Sequence, residues 1–216
     1  MTSKEIIARR AAQFFESGDV VNLGIGIPGL CANYSPEGVF FQSENGYLGI
    51  GKTSEGIEKV ESYCSASGIR FVPVKGAAAF DSAMSFSMIR SGRVDATVLG
   101  GLQVAENGNL ANWATPGRAF GMGGAMDLVS GAKKVIVAME LCTKDGQAKI
   151  VKECSFPLTG VKCVDYIVTE YGVFEVTPEG ILLTEVAPGV TPEQIQSMVE
   201  PTLLVSDNLK LMYEEA

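Results

Sequence analysis

Ile6, Ile7, Ala11, Phe14 and Phe15 recur at helical spacing along the first residues of the chain, and Gly18 ends the pattern. Thr2 followed three residues later by Glu5 fits a capping box, so an amphipathic helix opens the chain. The period then shortens. Asp19 to Pro28 is a brief apolar run passing into a glycine-rich turn at Gly24 and Gly26, followed by a short helix through Leu30 to Tyr34. Val39-Phe40-Phe41-Gln42 is a compact β-rich run between Pro36-Glu37-Gly38 and Asn45-Gly46, which predicts a buried strand. Similar strands are expected over Ile69 to Val74, Val94 to Leu99 and Lys134 to Met139. Helices are expected over Phe80 to Ile89 and over Ala125 to Val129, the latter after Gly121-Met122-Gly123-Gly124. Residues 52–68 carry Ile57, Val60 and Tyr63 among glycines and serines, leaving helix and loop both open.

This alternation predicts an α/β fold, an open and mostly parallel sheet with helices on both faces. The C-terminal third changes character. Ile150-Val151, Tyr166 to Val168, Val173 to Val176 and Ile181 to Val186 are separated by turn residues including Pro178-Glu179-Gly180, so a β-hairpin is expected on the sheet edge. Thr191-Pro192 with Gln194 then marks a capped helix start with proline at its first position. No repeat, linker or low-complexity segment divides the chain, so residues 1–216 are expected to form one domain.

Composition narrows the chemistry. With 216 residues, 46% hydrophobic and 19% charged, the chain can bury roughly 70% of its unfolded surface without disulfide or metal staples. No apolar stretch reaches the roughly 18 residues of a membrane span, and Met1 to Asp19 lacks the apolar centre of a signal peptide. Seventeen basic against 25 acidic residues give a net charge of -8 without a basic run, which disfavours a nucleic-acid partner. Cys31, Cys64, Cys142, Cys154 and Cys163 include no CxxC pair and fit thiols in a reducing cytoplasm. Histidine is absent. That removes every Ser-His-Asp or Cys-His nucleophile and every histidine-ligated metal site, and no metal is expected.

Carboxylates, cysteines, lysines and backbone amides remain. Glu44 directly follows a buried strand, and α/β sheets place ligand sites at the carboxyl ends of their strands. A glutamate there can serve as a nucleophile, a general base or a loop charge. Glu106 shares the tripeptide Glu-Asn-Gly but sits in a polar turn closed by Asn109, and reads as a solvated turn residue. The clusters Gly24-Gly26 and Gly121-Gly123-Gly124 can bring backbone amides up to an anion or a developing oxyanion, or simply serve turn geometry. Neither matches a phosphate-binding or dinucleotide fingerprint. The single Trp113 reads as packing.

Gln42-Ser43-Glu44-Asn45-Gly46-Tyr47-Leu48-Gly49 resembles the active-site signature of the family I CoA transferases. Asn22-Leu23-Gly24-Ile25-Gly26-Ile27-Pro28, Leu110-Ala111-Asn112-Trp113, Gly121 to Val129 and Pro157-Leu158-Thr159-Gly160 follow in the family's order. Together they span nearly the whole chain and resemble the beta subunit of 3-oxoacid CoA transferases. Asp81 to Phe86 and Gly100 to Val104 look most like the acetate or acetoacetate branch. Two departures stand out: Leu141 where the family often has histidine, and Gly51-Lys52-Thr53-Ser54 where it often has a Gly-Pro loop.

The resemblance implies a subunit that moves CoA between a short-chain acyl-CoA and a carboxylic acid, with a separate alpha subunit in a heteromer such as α2β2. It makes Glu44 the covalent nucleophile, forming a mixed anhydride and then a glutamyl-CoA thioester. Coenzyme A is then a substrate, and no resident cofactor is expected. The Gly124 amide, in a loop shaped by Gly123, would face the oxyanion. Asn22 would line the acyl pocket, and Gly24, Gly26, Asn45 and Gly46 are the further substrate-binding candidates. The alternatives are an acyl-CoA hydrolase, in which water resolves the thioester, and a non-catalytic CoA-binding or assembly subunit, left open by the altered loop at Lys52 to Glu55.

Overall fold

A computed structural model describes residues 1–53 and 63–214. Helix α1 (Ser3–Ala12) starts at the expected capping box, in which Thr2 Oγ1 accepts from the Glu5 N–H at 3.3 Å and the Glu5 carboxylate accepts from the Thr2 N–H at 2.7 Å. Strand β1 (Val20–Leu23) leads through Gly24 to Gly26 into α2 (Ile27–Leu30), which tightens into a 3-10 turn at Cys31–Asn33. Then come β2 (Phe40–Ser43), β3 (Tyr47–Thr53) and β4 (Phe71–Ala79), followed by α3 (Ser82–Arg90), which Asp81 caps by accepting from the Met84 N–H. Strand β5 (Ala96–Leu99) precedes four short strands, β6 (Gln103–Ala105), β7 (Leu110–Ala111), β8 (Ala114–Thr115) and β9 (Arg118–Ala119). Helix α4 (Ala125–Gly131), β10 (Val135–Ala138), β11 (Ile150–Val151) and β12 (Tyr166–Val168) continue the chain. It closes with β13 (Gly172–Thr177), β14 (Gly180–Val186), α5 (Pro192–Gln196) and β15 (Leu204–Leu211).

Ten strands form one sheet in the order β15-β14-β13-β12-β10-β5-β1-β2-β3-β4. Its middle, β12-β10-β5-β1-β2, is parallel throughout. These are the short apolar runs of the sequence, and they are apolar because both faces are covered. Along β10, Val135 and Val137 face one buried cluster with Ile89 of α3 and Leu128 of α4, while Ile136 and Ala138 face the other with Ile7 and Ala11 of α1. None of the described helices is long and apolar enough to cross a membrane.

The expected hairpin is present as β13 and β14, turning at Pro178-Glu179, but it is not the edge of the sheet. Strand β15 pairs parallel to β14 and takes that place. Its sequence, broken by Ser206, Asp207 and Asn208, hides a strand because most of its side chains meet water. On the opposite flank, β3 runs antiparallel to β2 and β4 antiparallel to β3; β4 takes up the strand expected over Ile69 to Val74, while β3 is an addition the sequence pattern does not announce. Of the open stretch 52–68, Thr53 ends β3 and residues 63–68 are turn and bridge, with Cys64 paired to Arg70. Residues 54–62, which include most of the Lys52 to Glu55 loop, lie outside the described residues.

Candidate active site

Parallel strands end together, so the loops that follow β1, β2 and β5 meet on one side of the sheet. A cleft of about 450 Å³ opens there. Asn22, Leu23 and Gly24 line it from the end of β1, Glu44 from the end of β2, Gly100 and Gly101 from the end of β5, and Phe120 to Gly124 from the loop entering α4. This is the position at which open α/β sheets take ligands.

Glu44 is the first residue after β2 and is half-buried. Its Oε2 accepts from Asn22 Nδ2 at 3.3 Å. Asn22 itself is 1% exposed, on the strand beside β2 and in register with Gln42. From the other side comes Gly124. A Cβ on that residue would stand 3.1 Å from Glu44 Cγ and 3.3 Å from the Phe86 ring, so glycine lets the backbone approach the carboxylate side chain. Gly123 has a φ of +50°, the left-handed conformation that swings the loop toward Glu44, whose Oε1 would lie 3.9 Å from a Cβ there. No backbone acceptor among the described residues takes the N–H of Gly123 or Gly124. The arrangement therefore sets the carboxylate against a side-chain donor on one side and the Gly123-Gly124 backbone on the other.

The cleft floor is closely built. A Cβ at Gly24 would press on the Val98 carbonyl and the Leu99 side chain at 3.2 and 3.3 Å, and one at Gly101 would meet Met139 and Val137 at 2.8 Å. Asn112, which also lines the cleft, fixes the neighbouring loop: its Nδ2 donates to the Gly100 carbonyl at 3.1 Å and its Oδ1 accepts from Thr159 Oγ1 at 2.6 Å. The Trp113 indole N–H donates to the Leu158 carbonyl at 3.2 Å, a packing and anchoring role.

Three sequence candidates lie apart from the cleft lining. Asn45 turns its side chain away and donates to the Cys64 carbonyl at 2.8 Å. Gly46, at φ +115°, makes the tight turn between β2 and β3, where a Cβ would collide with the Phe80 carbonyl. Gly26, at φ +84°, starts α2. Each shapes the path of the chain on either side of the site. Sequence reasoning passed over Gln42, Ser85 and Phe120; the visible signal for Gln42 is an amide ending an otherwise apolar strand.

The thiols are not arranged as nucleophiles. Cys31 is buried away from the cleft, and burial pushes its pKa up to about 12. Burial likewise raises Cys163 to about 11. Among the described residues no cluster of three metal-ligating side chains occurs.

A family model described as Coenzyme A transferase matches residues 4–197. The acetate CoA-transferase beta subunit of Escherichia coli (strain K12) is 49% identical over 212 residues, 97% of this chain and 97% of the relative. A succinyl-CoA:3-ketoacid coenzyme A transferase subunit of Helicobacter pylori (strain ATCC 700392 / 26695) is 47% identical over 199 residues, 91% of this chain and 96% of the relative. The crystal structure of the acyl-CoA transferase YdiF apoenzyme from Escherichia coli O157:H7 shares the fold, with a TM-score of 0.80 at 23% identity, over 100% of this chain and 45% of that one.

Proposed function

The chain belongs to the coenzyme A transferase family, and we propose that, with an alpha subunit, it moves CoA between a short-chain acyl-CoA and acetate or acetoacetate, with Glu44 as the nucleophile. The observation that carries this reading is the setting of Glu44, held in a cleft at the strand ends between Asn22 and the closely approaching Gly123-Gly124 backbone.

In the first step a Glu44 carboxylate oxygen adds to the thioester carbonyl carbon. The oxyanion so formed expels CoA thiolate by breaking the C–S bond, which leaves a mixed anhydride. The thiolate then adds to the Glu44 acyl carbon and expels the substrate's acyl group as its carboxylate, leaving a glutamyl-CoA thioester. An incoming carboxylate runs the steps in reverse. No net proton moves, so the chemistry needs no histidine, and the carboxylate and thiolate take turns as leaving group. Asn22 Nδ2 orients the attacking carboxylate. The Gly124 N–H, in the loop shaped by Gly123, is the proposed donor to the oxyanion, and one such donor is worth about 3 kcal/mol.

Coenzyme A enters as a substrate rather than a resident cofactor. No lysine or arginine is among the described residues that line the cleft, so the nucleotide phosphates are met beyond it, and the alpha subunit is the proposed source of that contact. Ile25, Phe120 and Met122 expose apolar side chains around the Glu44 cleft, a rim suited to a subunit interface. We take the assembly to be an alpha-beta heteromer such as α2β2. The reading places it in the cytoplasm, where its five thiols stay reduced.

Acid-dependent CoA exchange measured against net CoA release tests the reaction class. With both subunits present, a transferase forms acetyl-CoA from acetoacetyl-CoA only when acetate is added. Steady release of free CoA without an acceptor acid would instead mark a hydrolase.

A further inference from the structure

Asn22 holds Glu44 with the same Nδ2 that donates to Gln42 Oε1 at 2.7 Å and approaches the Gln42 carbonyl at 3.2 Å. Gln42 in turn donates from Nε2 to Ser85 Oγ at 2.7 Å, and Ser85 Oγ donates to the Ser43 carbonyl at 3.4 Å. Asn22, Gln42 and Ser85 are all buried. They form a closed run of hydrogen bonds from helix α3 across the end of β2 to the carboxylate.

The two ends of this run can only accept. A backbone carbonyl terminates it at Ser43, and the Glu44 carboxylate terminates it at the other end. This fixes the direction of every group between them. If the Gln42 amide were reversed, its NH2 would face the NH2 of Asn22, which is already turned toward the Glu44 carboxylate and the Gln42 carbonyl. If Asn22 were reversed, its carbonyl would oppose both Gln42 Oε1 and the Glu44 carboxylate. Buried polar groups without partners are costly, so only the observed order satisfies the set. Thr97, on the other side of Asn22 in the same register row, takes no partner for its hydroxyl among the described residues, so the support for Asn22 comes from the β2 side.

We propose that Gln42 and Ser85 are positioning residues for the transfer reaction, acting through Asn22 to present a donor, and never a carbonyl, to the nucleophile Glu44. The inference rests on the reading of Glu44 given above. It adds two buried residues that are not part of the Glu44 cleft lining and that set the direction of the donor facing the reacting carboxylate.

The test is the single-turnover rate of CoA attachment to the Glu44 peptide, followed by mass spectrometry in the assembled complex with acetoacetyl-CoA and no acceptor. Gln42→Met is expected to lower that rate about 10- to 100-fold while the acyl-CoA concentration at half-maximal rate changes less than about threefold. Ser85→Ala removes one hydroxyl from a helix and should lower the rate about three- to tenfold, which keeps the test available even where Gln42→Met folds poorly. The decisive comparison is a double-mutant cycle. Asn22→Ala with Gln42→Met should be no slower than Asn22→Ala alone, because both changes remove the same control of Glu44. Wild-type rates in Gln42→Met and Ser85→Ala, or losses that multiply fully with Asn22→Ala, would overturn the relay while leaving Glu44 as nucleophile. Absence of any adduct in the wild-type complex would instead overturn the reading on which the relay rests.

Discussion

Gly124 stands so close to Glu44 that a single methyl group on its Cα would lie 3.1 Å from the Glu44 Cγ. The backbone at Gly124 has φ -87°, a value alanine adopts freely, so substitution there adds crowding without backbone strain. Gly124→Ala is therefore expected to lower turnover by about 100-fold through displacement of the carboxylate, with a melting temperature close to that of the wild type. Steady-state kinetics with a parallel thermal melt checks both halves of the expectation. An unchanged turnover would show that the close approach has no bearing on the reaction.

The loop after β5 depends on one partly buried polar pair. Thr159 Oγ1 donates to Asn112 Oδ1 at 2.6 Å, and the same Asn112 holds the Gly100 carbonyl. Thr159→Val keeps the shape and removes the donor, leaving Asn112 short of a partner. Urea denaturation should report a loss of about 1–2 kcal/mol. A smaller loss for Thr159→Ser than for Thr159→Val would assign the effect to the hydroxyl rather than to packing.

Much of this architecture is legible in the sequence, for identifiable reasons. The apolar runs at β1, β5 and β10 are readable because the sheet buries them on both faces. Glu44 is readable from its place after β2 and from the signature around it. Strand β15 is not, since its outer edge and most of its side chains face water. Strand β3 is hidden by Gly49 and Gly51, which carry no strand propensity and are there because Ala77 and Val74 of β4, at Gly49, and the Val72 carbonyl, at Gly51, leave no room for a Cβ. The link from Gln42 to Ser85 joins residues 43 positions apart and follows only from the packing of α3 against β2.

The thiols supply an independent check on which group reacts. Burial raises Cys31 to about 12 and Cys163 to about 11, so neither holds appreciable thiolate at neutral pH. In the folded protein at about pH 8, where an ordinary thiol reacts readily, both should resist maleimide and become labelled only in denaturant. Rapid labelling of Cys31 in the native state would contradict its burial in the 3-10 turn. Replacing either by Ala should leave the CoA adduct on Glu44 unaffected.

Glu170 gives a prediction in pH. Burial pushes its carboxyl above the usual range, and Glu140 adds to that, while the Glu170 and Leu141 N–H groups and Lys149 pull it back. Because the folded state holds this proton to higher pH than the unfolded state, the contribution of Glu170 to stability is full below about pH 4.3 and is lost as pH rises through the folded value. Glu170→Gln can keep the Leu141 contact without titrating. The melting temperature of the wild type relative to Glu170→Gln should fall as pH rises above about 4.3. A gap that widens with pH in favour of the wild type would reverse the sign of this assignment.

The identity of the nucleophile is tested most directly by covalent capture. The chain is assembled with its alpha subunit, supplied with acetoacetyl-CoA in the absence of acceptor acid, quenched and digested. CoA is then sought on the peptide that contains Glu44. The expected result is an adduct of CoA on Glu44, discharged as acetyl-CoA on addition of acetate and missing in Glu44→Ala. An assembled complex that binds acyl-CoA and turns it over with no adduct at Glu44, or with the adduct on another residue, would contradict it.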